Sequence, residues 1–150
     1  MSYQTLLHEL APNLNPAGIE ASMRLHYGTQ LPLQGDLVKY LAEPNFNYES
    51  VVLLTGTNYL LGAVLGLITA TGKFKLAEVG AVDGSAVAVA VLAFASNATA
   101  GDTTGIIMRR GPAIVSRAAL VFHASVTAGA LTTTKLNELI AVGIVPRTTA

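Results

Sequence analysis

Residues 51–70, VVLLTGTNYLLGAVLGLITA, run for twenty positions without a charged side chain. That length suffices for a helix to cross a bilayer, and Gly62 with Gly66 sets the GxxxG spacing of packed membrane helices. Thr55-Gly56-Thr57-Asn58 lies inside the run, however, and is a turn-prone polar cluster whose groups would need partners in hydrocarbon. Two short buried strands around a turn satisfy the same pattern without that cost, and we adopt this reading.

From Tyr48 onward the period is that of strands. Residues 51–54, 64–71 and 74–76 are apolar or β-branched runs punctuated by Gly56, Gly62 and Gly72. Gly72-Lys73 reads as a tight hairpin connection. Val87, Val89 and Val91 alternate with Ala86, Ala88 and Ala90, as in a strand with a large face and a small face, and the small face would let another layer or subunit approach closely. Residues 106–108 and 113–115 give two further short strands across an Arg110-Gly111-Pro112 turn. A helical turn capped by Thr134, holding Leu136, Leu139 and Ile140, closes at Gly143, and Ile144-Val145-Pro146 forms a last extended piece.

The first third is different material. Tyr3, Leu6, Leu7 and Leu10 recur at helical spacing after Ser2, until Pro12 ends the element. Asn15-Pro16 then opens a second helix, with Ile19, Met23 and Tyr27 along one side and Gly28 as its stop. Pro32, Gly35-Asp36 and Pro44 interrupt the next stretch of chain, leaving one short strand or helical turn over residues 37–41. The expected organisation is an N-terminal, partly helical extension over residues 1–47 and a β-rich domain over 48–150. The fold class is α+β, predominantly β: a small domain of short strands with one or two short helices.

Composition narrows the functions such a chain can serve. Charged residues are only 12% against 51% apolar, so much of the surface is neutral or covered by partners, which favours an oligomer. A formal net charge of zero removes the electrostatic basis for nucleic-acid binding. The neutrality is uneven: residues 1–50 hold Glu9, Glu20, Asp36, Glu43 and Glu49 against Arg24 and Lys39. Residues 1–10 carry Glu9 and lack both a basic start and a long apolar run, so they do not read as a signal peptide. With no cysteine in the chain, disulfides, thiolate metal sites and a Cys nucleophile are out of reach.

The candidates for chemistry are few. His8, His26 and His123 have no metal-ligand spacing around them, and His123 reads as a partly buried polar residue at the end of an element. Asp83-Gly84-Ser85 and Gly101-Asp102-Thr103 could be a carboxylate pair, but both are ordinary turn sequences. Neither a GxSxG elbow nor a phosphate-binding glycine loop is present. The expectation is a protein without catalytic, metal-binding or cofactor-binding residues.

A binding surface is the better expectation. Five of the nine aromatic residues, Tyr3, Tyr27, Tyr40, Phe46 and Tyr48, fall in the first fifty positions, on a segment with short elements and frequent breaks. They bury either against a neighbouring chain or, as a lid, against their own barrel. Arg109, Arg110 and Arg117 are the one basic cluster, suited to gripping carboxylates of a partner or to guarding a solvated strand edge. Candidate partner-interface residues are therefore Tyr3, Leu6, Leu7, Leu10, Tyr27, Tyr40, Phe46, Arg109, Arg110 and Arg117.

Five pieces in order, VLGLITATGKF (64–74), AVDGSAVAVAVL (81–92), NATAGDT (97–103), RRGPAIV (109–115) and LNELIAVGIVPR (136–147), carry a family resemblance. Over roughly its last two thirds the chain resembles the head decoration proteins of tailed bacteriophages, the lambda-type capsid cement family. The resemblance implies a structural virion protein with no catalytic role. It would bind as a homotrimer to the major capsid protein, on the outer surface of the expanded head, and stabilise the shell against internal DNA pressure. It would reside in the host cytoplasm before assembly, and contact neither membrane nor nucleic acid directly. In that family the segment before the β domain engages the capsid, commonly by pairing with its strands; here that segment is longer and partly helical. Two alternatives from other classes are a small membrane-active, holin-like phage protein built on residues 51–70 and a soluble ligand-binding β-barrel.

Overall fold

The computed structural model describes residues 33–148. The helices expected over residues 2–11 and 15–28 lie outside that range. Pro32–Ala150 is one compact unit. The described chain runs α1 (Gln34–Leu37), β1 (Val38–Leu41), α2 (Pro44–Asn47), β2 (Tyr48–Leu53), β3 (Asn58–Tyr59), β4 (Val64–Leu67), β5 (Phe74–Leu76), β6 (Ala90–Leu92), β7 (Ser96–Asn97), β8 (Thr103–Met108), β9 (Ala113–Ser116), a 3-10 turn (Arg117–Ala119), α3 (Ala130–Ala141) and β10 (Ile144–Arg147). The domain is thus predominantly β with few, short helices.

Five strands close a small barrel in the order β2-β5-β4-β6-β8. Its longest ladder is antiparallel, from Tyr48 opposite Met108 to Leu53 opposite Thr103. A second sheet, β1-β9-β10, lies apart from the barrel in the hydrogen-bonding pattern. There β1 runs antiparallel to β9 and β10 parallel to it, with Ile144 opposite Ala113. Residues 34–47, grouped by sequence with the extension, are built into this unit through β1.

Neighbouring residues on the barrel strands serve two different cores, because side chains alternate across a sheet. Leu65, Ala90, Leu92 and Ile107 point into the barrel with Leu53, Tyr59 and Phe74. Val64, Val91 and Met108 point outward, into a second core with Leu37, Val115, Leu136, Leu139 and Ile144. Each such Leu or Ile contributes about 1.5–3 kcal/mol by burial. The barrel interior is filled by side chains. Gly105 makes room for this: a Cβ there would lie 2.6 Å from Leu53 Cδ1 and 3.3 Å from Leu92 Cδ1.

The uncharged run 51–70 becomes parts of β2, β3 and β4, with a turn at residues 55–56. Among the described residues no helix is long and apolar enough to cross a membrane.

Three local expectations need correction. Residues 86–89 are not a strand: the strand spans only Ala90–Leu92, with the Val89 N–H still donating to the Leu65 carbonyl at 2.9 Å, and Ala88 and Ala90 are buried in their own chain while Val87 is 49% exposed. Ala88 and Ala90 face the molecule's own cores, so the alternating alanines offer no continuous small-residue face for a neighbour. The α3 helix begins at Ala130 after Gly129, not at Thr134, whose hydroxyl instead donates to the Ala130 carbonyl one turn back (2.9 Å). Ile140 on the same helix is 48% exposed, while Leu136 and Leu139 are buried. Finally, β4 and β5 are joined by a loop over residues 68–73, longer than a two-residue turn, in which Gly72 (φ +71) donates to the Ile68 carbonyl at 2.9 Å.

Candidate interaction surface

The candidate surface forms where α2 turns into β2 and meets the end of β8. Pro44 sits at the first turn of α2, the position where a missing N–H costs least. The helix ends at Asn47, which is fully buried yet polar. Its Oδ1 accepts from the Glu43 N–H (2.8 Å), and its Nδ2 donates to the carbonyls of Arg110 (2.7 Å) and Pro112 (3.4 Å). The Arg109 N–H in turn donates to the Asn47 carbonyl at 2.9 Å. One asparagine therefore fastens α2 to the β8–β9 connection and aims the arginine pair.

Arg110 donates through Nη1 to the Phe46 carbonyl (2.8 Å) and through Nη2 to Glu49 Oε2 (3.1 Å). Its guanidinium also lies over the Phe46 ring, 5.2 Å from the centroid, with that ring 54% exposed. Arg109 reaches the other oxygen of Glu49 (3.7 Å) and covers the buried Phe74 ring at 5.1 Å, so it caps the barrel core. A single carboxylate thus orients two guanidiniums, and one of the pair is presented beside an exposed aromatic ring.

Beside this cluster an open groove of about 390 Å³ is lined by Gln34, Pro44, Tyr48, Glu49, Phe94 and Ile106, among others. Phe94 and Ile106 are 46% and 41% exposed. Ile106 stands opposite Ser50 on the outer face of the β2–β8 ladder, where alternation leaves it facing solvent. The Tyr48 hydroxyl accepts from Gln34 Nε2 at 2.9 Å; burial pushes its pKa up, partly offset by that bond.

Of the candidate interface residues, Phe46, Arg109 and Arg110 are brought together. Tyr40 stands elsewhere, on β1 opposite Ile114, and is 52% exposed. Arg117 opens the 3-10 turn after β9 and is exposed. Tyr3, Leu6, Leu7, Leu10 and Tyr27 lie outside the described residues. Sequence reasoning missed Asn47, Glu49, Phe94 and Ile106. Only the β2–β8 register, which is not legible locally, sets Glu49 near the end of β8 and Ile106 on the outer face.

The carboxylates read as possible acid–base groups are tied up in structure. Asp83 Oδ1 accepts from the Ser85 hydroxyl (2.5 Å) and the Ser85 N–H (3.0 Å), and Oδ2 pairs with Lys75 at 3.0 Å. The Ser85 hydroxyl first, then Lys75, hold its carboxyl far below the usual range. Asp102 does not bond its own turn. It accepts from the Thr55 N–H (2.8 Å), 47 residues away, and pairs with Lys73 at 2.5 Å; the Lys73 bond chiefly lowers its pKa. The two aspartates thus serve different lysines and different loops.

His123 is half-buried, and its Nδ1 accepts from the Ser125 N–H (3.1 Å) and lies 2.8 Å from the Ser125 hydroxyl. That hydroxyl oxygen accepts from the Val79 N–H at 2.9 Å, so the imidazole helps tether two loops. Among the described residues no group of three or more His, Cys, Asp or Glu could hold a metal ion.

The family model described as "Bacteriophage lambda head decoration protein D" matches residues 27–144. Among curated proteins none matches the chain.

Proposed function

Because the chain belongs to the family of bacteriophage lambda head decoration protein D, we propose that it is a structural virion protein that decorates an assembled phage head. The family match over residues 27–144 is the observation that carries this reading. In it the protein binds the major capsid protein on the outer surface of the expanded shell, as a homotrimer, and opposes rupture by packaged DNA. Before assembly it resides in the host cytoplasm.

The physics needs no catalytic step. A ligand that binds only the expanded, assembled shell stabilises that state by mass action, by about 2.7 kcal/mol at a free concentration of 100 Kd. Three linked copies add effective concentration: once one contact forms, the others close as intramolecular steps. The low charge of the chain fits a protein whose surface is covered by partners.

Within this reading we place Phe46 and Arg110 in the partner interface, an exposed ring with an oriented guanidinium above it, the residue types over-represented at binding hot spots. Tyr40 and Arg117 are further contacts of the same proposal, as are Tyr3, Leu6, Leu7, Leu10 and Tyr27. Arg109 contributes by holding Glu49 and the barrel end in place. The test is co-sedimentation of the purified protein with emptied, expanded heads and with unexpanded ones, alongside light scattering of the free protein. Saturable binding to expanded heads alone, in multiples of three, supports the proposal. Absence of binding to either head form overturns it.

A further inference from the structure

We draw no further inference here: the strongest candidate, the open apolar groove that Tyr48, Phe94 and Ile106 line beside α2 and the Arg110–Glu49 pair, has nothing in the structure to show what covers it.

Discussion

Asn47 donates its side-chain amide to the Arg110 carbonyl at 2.7 Å, across 63 residues of chain. The contact sits where the extension-like segment becomes the barrel, and Asn47 itself is fully buried. Asn47→Ala leaves the Glu43 N–H and the Arg110 carbonyl without their partner, at a cost of roughly 1–3 kcal/mol. We expect melting several degrees lower than wild type by calorimetry, with exposed Asn45→Ala close to wild type. Equal melting of the two variants would show that the buried bonds matter little.

A second expectation concerns the approach of two backbones. A Cβ at Gly111 would collide with the Gly143 carbonyl, which accepts from the Ala113 N–H at 3.1 Å. Gly143 itself has φ +85 and ends α3, so neither side can move without disturbing the α3–β10 turn. Gly111→Ala should cost about 1–3 kcal/mol or more by overpacking. Gly101, with open space around its Cα, should accept alanine within about 1 kcal/mol. Urea unfolding of the two variants separates these outcomes.

Lys135 is 4% exposed on α3, with its ammonium donating to the Ala86 carbonyl and to Glu138, whose Oε2 also accepts from the Ala88 N–H at 2.7 Å. The pair holds residues 86–88 against the helix. Removing one partner of a buried ion pair costs about 3–5 kcal/mol, while removing both can cost far less. In a double-mutant cycle, Lys135→Met with Glu138→Gln should therefore be less destabilised than the sum of the single variants. Additive effects would mean that the two groups are not coupled.

The two depressed aspartates set the response to acid. Below the ordinary Asp value of about 3.9, and above each folded value, the unfolded chain binds more protons than the folded one. Stability therefore rises with pH in that window; the contribution is complete above the unfolded value and is lost as pH falls through the folded one. Melting temperature should drop on acidification, and Asp83→Asn with Asp102→Asn should flatten the dependence. High salt should weaken the effect, since both groups are partly exposed. A double variant with an unchanged acid slope would contradict this account.

Residues 74–76 and 113–115 read as strands and 144–146 as an extended piece from local pattern alone, and each lies within an observed strand, because short apolar or β-branched runs between turn residues leave few other choices. What local pattern does not carry is long-range pairing. Closure of the barrel through Leu53 and Phe74, the parallel seating of β10 on β9, and the Glu49–Arg110 pair all depend on partners tens of residues apart. The alternation over residues 86–91 misled for a related reason: Ala88 is held by Glu138 rather than by a neighbouring strand. Lys135 at a helix position facing the core has no sequence signal, since a lysine there ordinarily points to water. Of the surface cluster, the exposed ring and the arginine pair were legible as types, but their meeting was not.

The place of β1 also bears on where the chain can be shortened. A chain starting at Tyr48 loses β1, which pairs with β9, and the buried Asn47. One starting at Leu33 keeps both. We expect the longer form to unfold cooperatively and the shorter to be markedly less stable, as read by circular dichroism on heating. Equal stability would show that β1 is dispensable.

Decoration of the head is tested most directly by the mechanical consequence it should have. DNA-filled heads lacking the protein are heated with and without added purified protein, and DNA release is followed by dye fluorescence. The account predicts release at a higher temperature when the protein is present, saturating with occupancy, with a smaller shift for Phe46→Ser with Arg110→Glu at equal protein concentration. Release at the same temperature with fully occupied heads would contradict it.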